Sequence, residues 1–329
     1  CIEPNPVLRA TLGQLVSSRA PASRWAVAIH VYYPELWPEI YQAVKVSNIE
    51  LDWFITITDQ GEVSLDLKKK IEAEVPNANV WIMSNRGRDI HPWVALINSG
   101  LLDAYDAVCK LHTKKSPHLS DGDDWRSKLI SDLLPENKTS VILSRFMSTD
   151  DAGLLVSADH ILKGEQWWGQ NKEKAMQLLS RLNIDPNSAE LQFPSGSIYW
   201  VKASVIERIK SLELDVDDFG QESGATDGTT AHAFERILGY LCADAGLHIQ
   251  GVYSESRQQS MHLFVHIPKT AGTSFRGSLE EAVGSARIAY DYGLKSPLTS
   301  PEVLTLHRSG APGAKHILDA CANAGYQWI

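Results

Sequence analysis

From Trp25 onward, apolar strand-like runs alternate with amphipathic helical ones, and no other feature restricts the fold as much. Trp25 to Tyr33 is a strand candidate followed by a helix near Leu36 to Val46; Trp53 to Thr58 is followed by a helix over Leu65 to Val75; Val80 to Met83 comes next. This βαβα alternation predicts an α/β fold, a mainly parallel sheet with helices on both faces. A helix over Leu96 to Leu102 and a strand over Ala107 to Leu111 continue the pattern, and later runs add a strand at Gly153 to Val156 and a helix at Lys172 to Leu182. An aromatic strand over Phe193 to Lys202 and a helix opening near Asp227 to Thr230 follow, ahead of the run His248 to Tyr253.

In sheets of this kind ligands sit off the carboxyl ends of the strands. Two segments fall there. One is Lys110-Leu111-His112-Thr113-Lys114-Lys115, cations and an imidazole at the end of a buried-looking strand. In a chain of net charge -9 such a cluster fits an anion, and lysine ammoniums with a histidine donor suit a diphosphate. A solvated basic loop is the plainer alternative.

The other segment is Ser84-Asn85-Arg86-Gly87-Arg88-Asp89, a polar turn opening a helix at about Pro92. Gly87 allows positive φ or a close backbone approach, the two arginines offer forked donors, and Asp89 is an acceptor for a sugar hydroxyl or for one of those arginines. An Arg–Asp pair that only braces the turn is the alternative.

Three further clusters have chemical potential. Asp121, Asp123 and Asp124 could ligate a hard cation, but as first-turn acids of a helix they are better explained by its dipole. Ser195, Gly196 and Ser197 open the aromatic strand and leave room for a ring or sugar near the backbone. In the later helix, with Asp227 or Thr229 as N-cap, Ala231, Phe234, Leu238 and Leu241 form an apolar face; His232, Glu235 and Arg236 share the opposite face, where a carboxylate could serve as general base.

The acidic balance argues against nucleic-acid binding. Cys1, Cys109, Cys242 and Cys321 are far apart, which indicates neither a disulfide framework nor a zinc site and suits a reducing compartment. No run reaches the roughly 18 apolar residues of a spanning helix, so the expectation is a cytoplasmic protein without a transmembrane segment. Residues 1–24 read as a linker from an upstream region, and the ends at Cys1 and Ile329 as those of a piece of a longer chain. After a polar linker at 256–260, a strand over Met261 to Ile267 runs through Pro268-Lys269-Thr270-Ala271-Gly272-Thr273-Ser274 into a helix over Phe275 to Val283, the order that cradles a phosphate.

Residues 25–255 resemble the rhamnan synthesis protein F family, glycosyltransferase-type modules of bacterial surface-polysaccharide pathways. The match rests on Asn85 to Asp89, Lys110 to Ser116, Gly196 to Val201 and Asp227 to Arg236. The order is also similar to that of glycosyltransferases with a single nucleotide-binding α/β domain, except that no Asp-X-Asp metal motif stands where Lys110 to Lys115 lie. The resemblance implies a nucleotide-sugar donor, rhamnose being the name-giving sugar, and a glycan or lipid-linked acceptor. It also implies other polysaccharide-assembly enzymes as partners and association with the inner face of the plasma membrane. By it, His112, Glu235 and Asp227 are catalytic, and Asn85, Arg86, Gly87, Arg88, Asp89, Lys110, Lys114, Lys115, Gly196 and Arg236 bind the donor. His112, Lys114 and Lys115 stabilise the leaving diphosphate, and the metal requirement is left open.

Residues 261–329 resemble the start of a sulfotransferase-superfamily domain. This implies 3'-phosphoadenosine 5'-phosphosulfate held by Lys269, Thr270, Gly272, Thr273 and Ser274, in a stretch too short to be complete. A non-catalytic nucleotide- or glycan-binding module, and a sulfotransferase carried on a scaffold domain, are the competing expectations.

Overall fold

The computed structural model describes residues 23–113, 122–222, 224, 225, 227–253, 272–283, 288–292, 294–310, 317 and 321, with the backbone alone at 122–124, 272–275, 282 and 283. The chain divides into two units, Cys1–Ser254 and Glu255–Ile329.

The first unit is built on a seven-stranded sheet. Its strands in chain order are β1 (Trp25–Val31), β2 (Asp52–Thr58), β3 (Asn79–Met83), β4 (Ala107–His112), β5 (Ala152–Ser157), β8 (Tyr199–Lys202) and β9 (His248–Val252). They lie in the spatial order β3-β2-β1-β4-β8-β5-β9, and β6 (Ile161–Lys163) with β7 (Gln192–Pro194) forms a separate two-stranded ribbon. Within the large sheet β8 runs antiparallel to both β4 and β5, while the other strand pairs are parallel. The fold is therefore α/β with a mostly parallel sheet, as the alternation predicts and consistent with a single-domain glycosyltransferase-like architecture.

Period-two alternation along the strands builds two cores. Ala26, Ala28, Phe54 and Trp81 face one layer, formed by α3 (Ile90–Asn98), α6 (Lys172–Arg181), α7 (Ala203–Lys210) and α8 (Thr230–Asp244). Val27, Ile29, Ile55 and Ile57 face the other, formed by α1 (Trp37–Val46), α2 (Glu62–Glu74), α4 (Gly122–Leu133) and α5 (Thr139–Ser148). Each fully buried Leu, Ile or Phe contributes about 1.5–3 kcal/mol by leaving water.

Several local expectations are corrected. The helix expected over Leu96 to Leu102 spans Ile90–Asn98 and starts directly after Asp89 rather than near Pro92, because Gly87 O accepts from the N–H groups of Ile90 (3.0 Å) and His91 (3.1 Å). The aromatic run Phe193 to Lys202 is two strands in two sheets, broken at Gly196 and Ser197, whose φ values are +83° and +55°. Helix α8 is buried on nearly every side, so His232, expected on a polar face, is only 8 % exposed. Thr229, not Asp227, is its N-cap.

In the second unit α9 (Gly272–Val283) and α10 (Pro301–Ser309) are helical, and Ala289, Val303 and Cys321 form a small core. The expected strand Met261 to Ile267 lies outside the described residues.

Candidate functional site

Strand order reverses between β1 and β4, which are direct neighbours with His30 paired in register to His112. Their carboxyl ends open on a cavity of about 420 Å³, within the range of ligand pockets. Beyond β4, the Thr113 N–H donates to His30 O (3.0 Å), extending the ladder. Thr113 Oγ1 then accepts from the Tyr32 N–H (2.8 Å) and the Tyr33 N–H (2.9 Å). One buried threonine thus fixes the turn that carries both tyrosines into the cavity wall.

The floor is a buried polar network. Lys110 is 2 % exposed, and its ammonium donates to Asp89 (2.5 Å), Ser197 O (2.9 Å) and Ser197 Oγ (2.9 Å). All three of its N–H donors are thereby used within the protein. His112 Nε2 donates to Gly196 O at 2.6 Å and lies 3.8 Å from the Asp89 carboxylate. The β7–β8 turn, the Asp89 turn and β4 are therefore tied through two side chains.

His30 stands beside this network, with Nδ1 3.0 Å from Thr56 Oγ1 and Nε2 3.0 Å from Thr58 Oγ1. Burial pulls its pKa down to about 3; the Asp89 carboxylate opposes this, while His112, Lys110 and His91 add to it. His30 is a neutral imidazole at neutral pH.

The Arg86-Gly87-Arg88 turn is shaped by close packing. Gly87 (φ +59°) lies so near Phe219 that a Cβ would come within 2.5 Å of the ring, and Arg88 follows at φ +56°. Arg88 pairs with Glu222 at 3.7 Å and donates to Ala225 O, and Arg86 donates to Val216 O at 3.5 Å. Both arginines hold the segment after α7 against the cavity, and Arg88 and Glu222 line it.

From α8, His232 and Glu235 reach the cavity. The Glu235 carboxylate accepts from Arg236 at 3.2 Å, and Arg236 also donates to Trp167 O (3.0 Å) and lies over the Phe193 ring, 4.3 Å from its centroid. Thr229 Oγ1 stands 2.8 Å from His232 Nδ1.

The residues expected from sequence thus separate into two groups. Asn85, Arg88, Asp89, His112 and Glu235 line one cavity. Arg86, Gly87, Lys110, Gly196 and Arg236 stand behind that wall and hold it. The room expected beside Gly196 is filled, since a Cβ there would collide with the Trp125 indole. Asp227 is outside the cavity lining: its carboxylate accepts from the Gln170 N–H (2.9 Å) and the Asn171 amide. Burial opposes its ionisation, but these bonds, the Gly228 N–H and nearby His232 outweigh it and hold the carboxyl below its usual range.

Lys114, Lys115 and Asp121 lie outside the described residues, as do Lys269 and Thr270. Asp123 and Asp124 fall in α4, and Gly272, Thr273 and Ser274 in the first turn of α9, in both cases as backbone alone. Among the described residues, no group of three His, Cys, Asp or Glu is placed to hold a metal ion.

Sequence reading missed His30, Tyr33 and Glu222. His30 had a signal: it is the polar residue of an otherwise apolar run, one position from the end of β1. Glu222 had none, because its place depends on the Arg88 ion pair rather than on any local pattern.

Comparison with known proteins adds to this geometry. Two relatives from strains of Xanthomonas campestris pv. campestris, each named uncharacterized protein WxcX, are 32 % and 31 % identical to the chain over 226 residues, or 69 % of it. The chain spans about a third of the length of these curated relatives, 32 % of each. The sequence profile of rhamnan synthesis protein F matches residues 5–247, which include β1 to β8, all of α8 and every described residue of the cavity. With that match over most of its length, the chain belongs to the rhamnan synthesis protein F family, a family of polysaccharide synthesis.

Proposed function

We propose that the cavity at the β1–β4 switch point is the donor site of a glycosyltransferase that moves a sugar, rhamnose by the family's name, from a nucleotide-sugar donor onto a bacterial surface polysaccharide. The observation that carries this reading is the convergence in one cavity of Arg88 and His112 with the carboxylate of Glu235 on another element. In the reaction the bond between the sugar C1 and the donor phosphate oxygen breaks, and the nucleoside diphosphate leaves with the electron pair. The acceptor hydroxyl oxygen bonds C1, and its proton passes to the Glu235 carboxylate, which Arg236 orients. Arg88 and His112 stabilise charge on the leaving diphosphate, with the Lys110 ammonium fixed behind them and the Lys114–Lys115 pair following β4 in sequence.

Asp227 is not assigned a chemical step, because its carboxylate is used in holding the Gly169–Asn171 turn. Among the described residues no helix is long and apolar enough to cross a membrane. In this reading a lipid-linked acceptor is reached from the membrane face, among other enzymes of the same assembly line.

Transfer and donor hydrolysis, followed with a panel of nucleotide sugars, test the reading. Glu235→Gln is expected to lower kcat about 100-fold or more while nucleotide binding persists. Near-normal turnover in that variant would remove Glu235 from the chemistry. Nucleotide binding without turnover in the unaltered chain would favour a non-catalytic binding module. For the second unit, the Lys269 to Ser274 sequence followed by a helix supports 3'-phosphoadenosine 5'-phosphosulfate as ligand. Loss of its binding in Lys269→Ala is the corresponding test.

A further inference from the structure

The parallel strands have a second opening at their amino ends, on the edge of the sheet opposite the cavity described above. It is a groove of about 1000 Å³, at the upper end of the range for ligand sites, framed by the ends of α1 and α2, the starts of β2 and β3, and the turn before β4. Two aromatic groups meet there. Half-buried Trp53 and Tyr41 pack with Trp37 on one side of β2: the Trp37 and Tyr41 rings stack at 5.7 Å, and Trp53 meets Trp37 edge-on at 6.4 Å. On the other side Phe54 and Tyr105, both buried, meet edge-on at 5.6 Å beneath the groove, so that Trp53 and Tyr41 are the rings partly exposed in it.

Around these rings the groove presents hydrogen-bonding groups suited to hydroxyls. Asn48, Asn77 and Asn79 offer amides, and Glu50, Asp52 and Glu74 offer carboxylates. Several are already oriented. Asp52 accepts from Tyr105 Oη at 2.9 Å, Glu74 from Trp37 Nε1 at 2.6 Å, and the Asn79 amide donates to Trp53 O at 3.4 Å. Among the described residues Lys45, which lies over the Tyr41 ring, is the one cation in this lining against three carboxylates, and the groove lacks the imidazoles and the buried lysine that His30, His112 and Lys110 supply at the donor cavity. A polyanion is disfavoured by that balance, and a purely apolar partner would bury the amides and carboxylates without hydrogen-bond partners. Flat aromatic faces bordered by amide and carboxylate acceptors and donors suit an uncharged molecule with an apolar face and many hydroxyls.

We propose that this groove binds a neutral oligosaccharide at a site separate from the donor cavity and independent of the catalytic reading, so that a stretch of glycan is held at the opposite edge of the sheet. Among the described residues none lines both openings.

The test uses the full chain and three probes, a rhamnose trisaccharide, maltotriose and trigalacturonate, with binding followed by saturation-transfer NMR and tryptophan fluorescence. At least one neutral probe is expected to bind, with the anionic one at least tenfold weaker. Tyr41→Ala with Asn77→Ala should weaken neutral binding at least tenfold, and His112→Ala should leave it unchanged. Circular dichroism and a retained cooperative unfolding transition in the Tyr41/Asn77 variant separate loss of the groove from loss of the fold. Absence of neutral binding, equal binding of trigalacturonate, or binding that disappears with His112→Ala but persists in the Tyr41/Asn77 variant would overturn the proposal. None of these outcomes bears on whether the donor cavity binds a nucleotide.

Discussion

At the scale of single residues the β1–β4 cavity depends on side chains that do not face it. Lys110 is the clearest case, a fully buried ammonium that joins Asp89 to the Gly196–Ser197 turn. Replacing it with methionine leaves the Asp89 carboxylate, 13 % exposed, without its cation. Loss of one partner from such a pair costs about 3–5 kcal/mol, so Lys110→Met is expected to shift the denaturant midpoint accordingly, with much of the loss restored by adding Asp89→Leu. An unchanged midpoint in the single variant would contradict this role. His30 and His91 make stability depend on pH. Burial lowers their pKa values to about 3 and about 4, with Arg86 adding to the effect at His91 and Asp215 opposing it. Both folded values lie below the unfolded value of about 6.5, so between these limits the unfolded chain binds more protons than the folded one. Their contribution to stability is fully present above about pH 6.5 and is lost as pH falls through about 4 for His91 and about 3 for His30, each with a slope of up to about 1.4 kcal/mol per pH unit. Denaturant titrations at several pH values should show a smaller slope in His30→Asn, and an identical slope would exclude His30 as a source.

At the scale of elements, a few backbone positions decide where the site forms. The turn between β3 and α3 places consecutive residues, Gly87 and Arg88, at positive φ, and Gly87 has no space for a Cβ beside Phe219 and His91. Gly87→Ala combines left-handed strain with a clash and is expected to cost about 2–4 kcal/mol, measured by thermal or denaturant unfolding. A neutral effect would mean that Phe219, which is 1 % exposed, can move aside. Much at this scale was legible in the sequence. The β1, β2, β3 and β4 runs are continuous and apolar because both faces of the sheet are covered, and the segments at the ends of β3 and β4 carry the polar residues that line the cavity. What was not legible depended on contacts distant in sequence. The break at Gly196 and Ser197 turns one apparent strand into two, since the Lys110 and His112 bonds fix that turn from nearly ninety positions away. The polar face expected for α8 misleads for a similar reason: His232 and Glu235 do project together, but into a cavity rather than into water.

At the scale of the whole molecule, alternation predicts the parallel sheet but not its antiparallel member. Strand β8 separates β4 from β5, and neither its direction nor its place follows from periodicity, because pairing of distant strands is set by packing rather than by local pattern. The acidic balance of the chain, net -9, coexists with an imidazole-rich cavity at one sheet edge, where Arg88 and Lys110 are paired with Glu222 and Asp89, and an aromatic, carboxylate-rimmed groove at the other. The chain belongs to the rhamnan synthesis protein F family, and the central claim proposed for it is that the β1–β4 cavity holds the diphosphate of a nucleotide-sugar donor. Calorimetric titration of UDP, dTDP, GDP and CMP into the full chain tests that claim most directly, with and without magnesium, and beside His112→Ala and Arg88→Ala variants of intact fold. The account predicts micromolar binding of one nucleotide, weakened at least tenfold in each variant. Binding of none of the four, or binding that both variants leave unchanged, would contradict it.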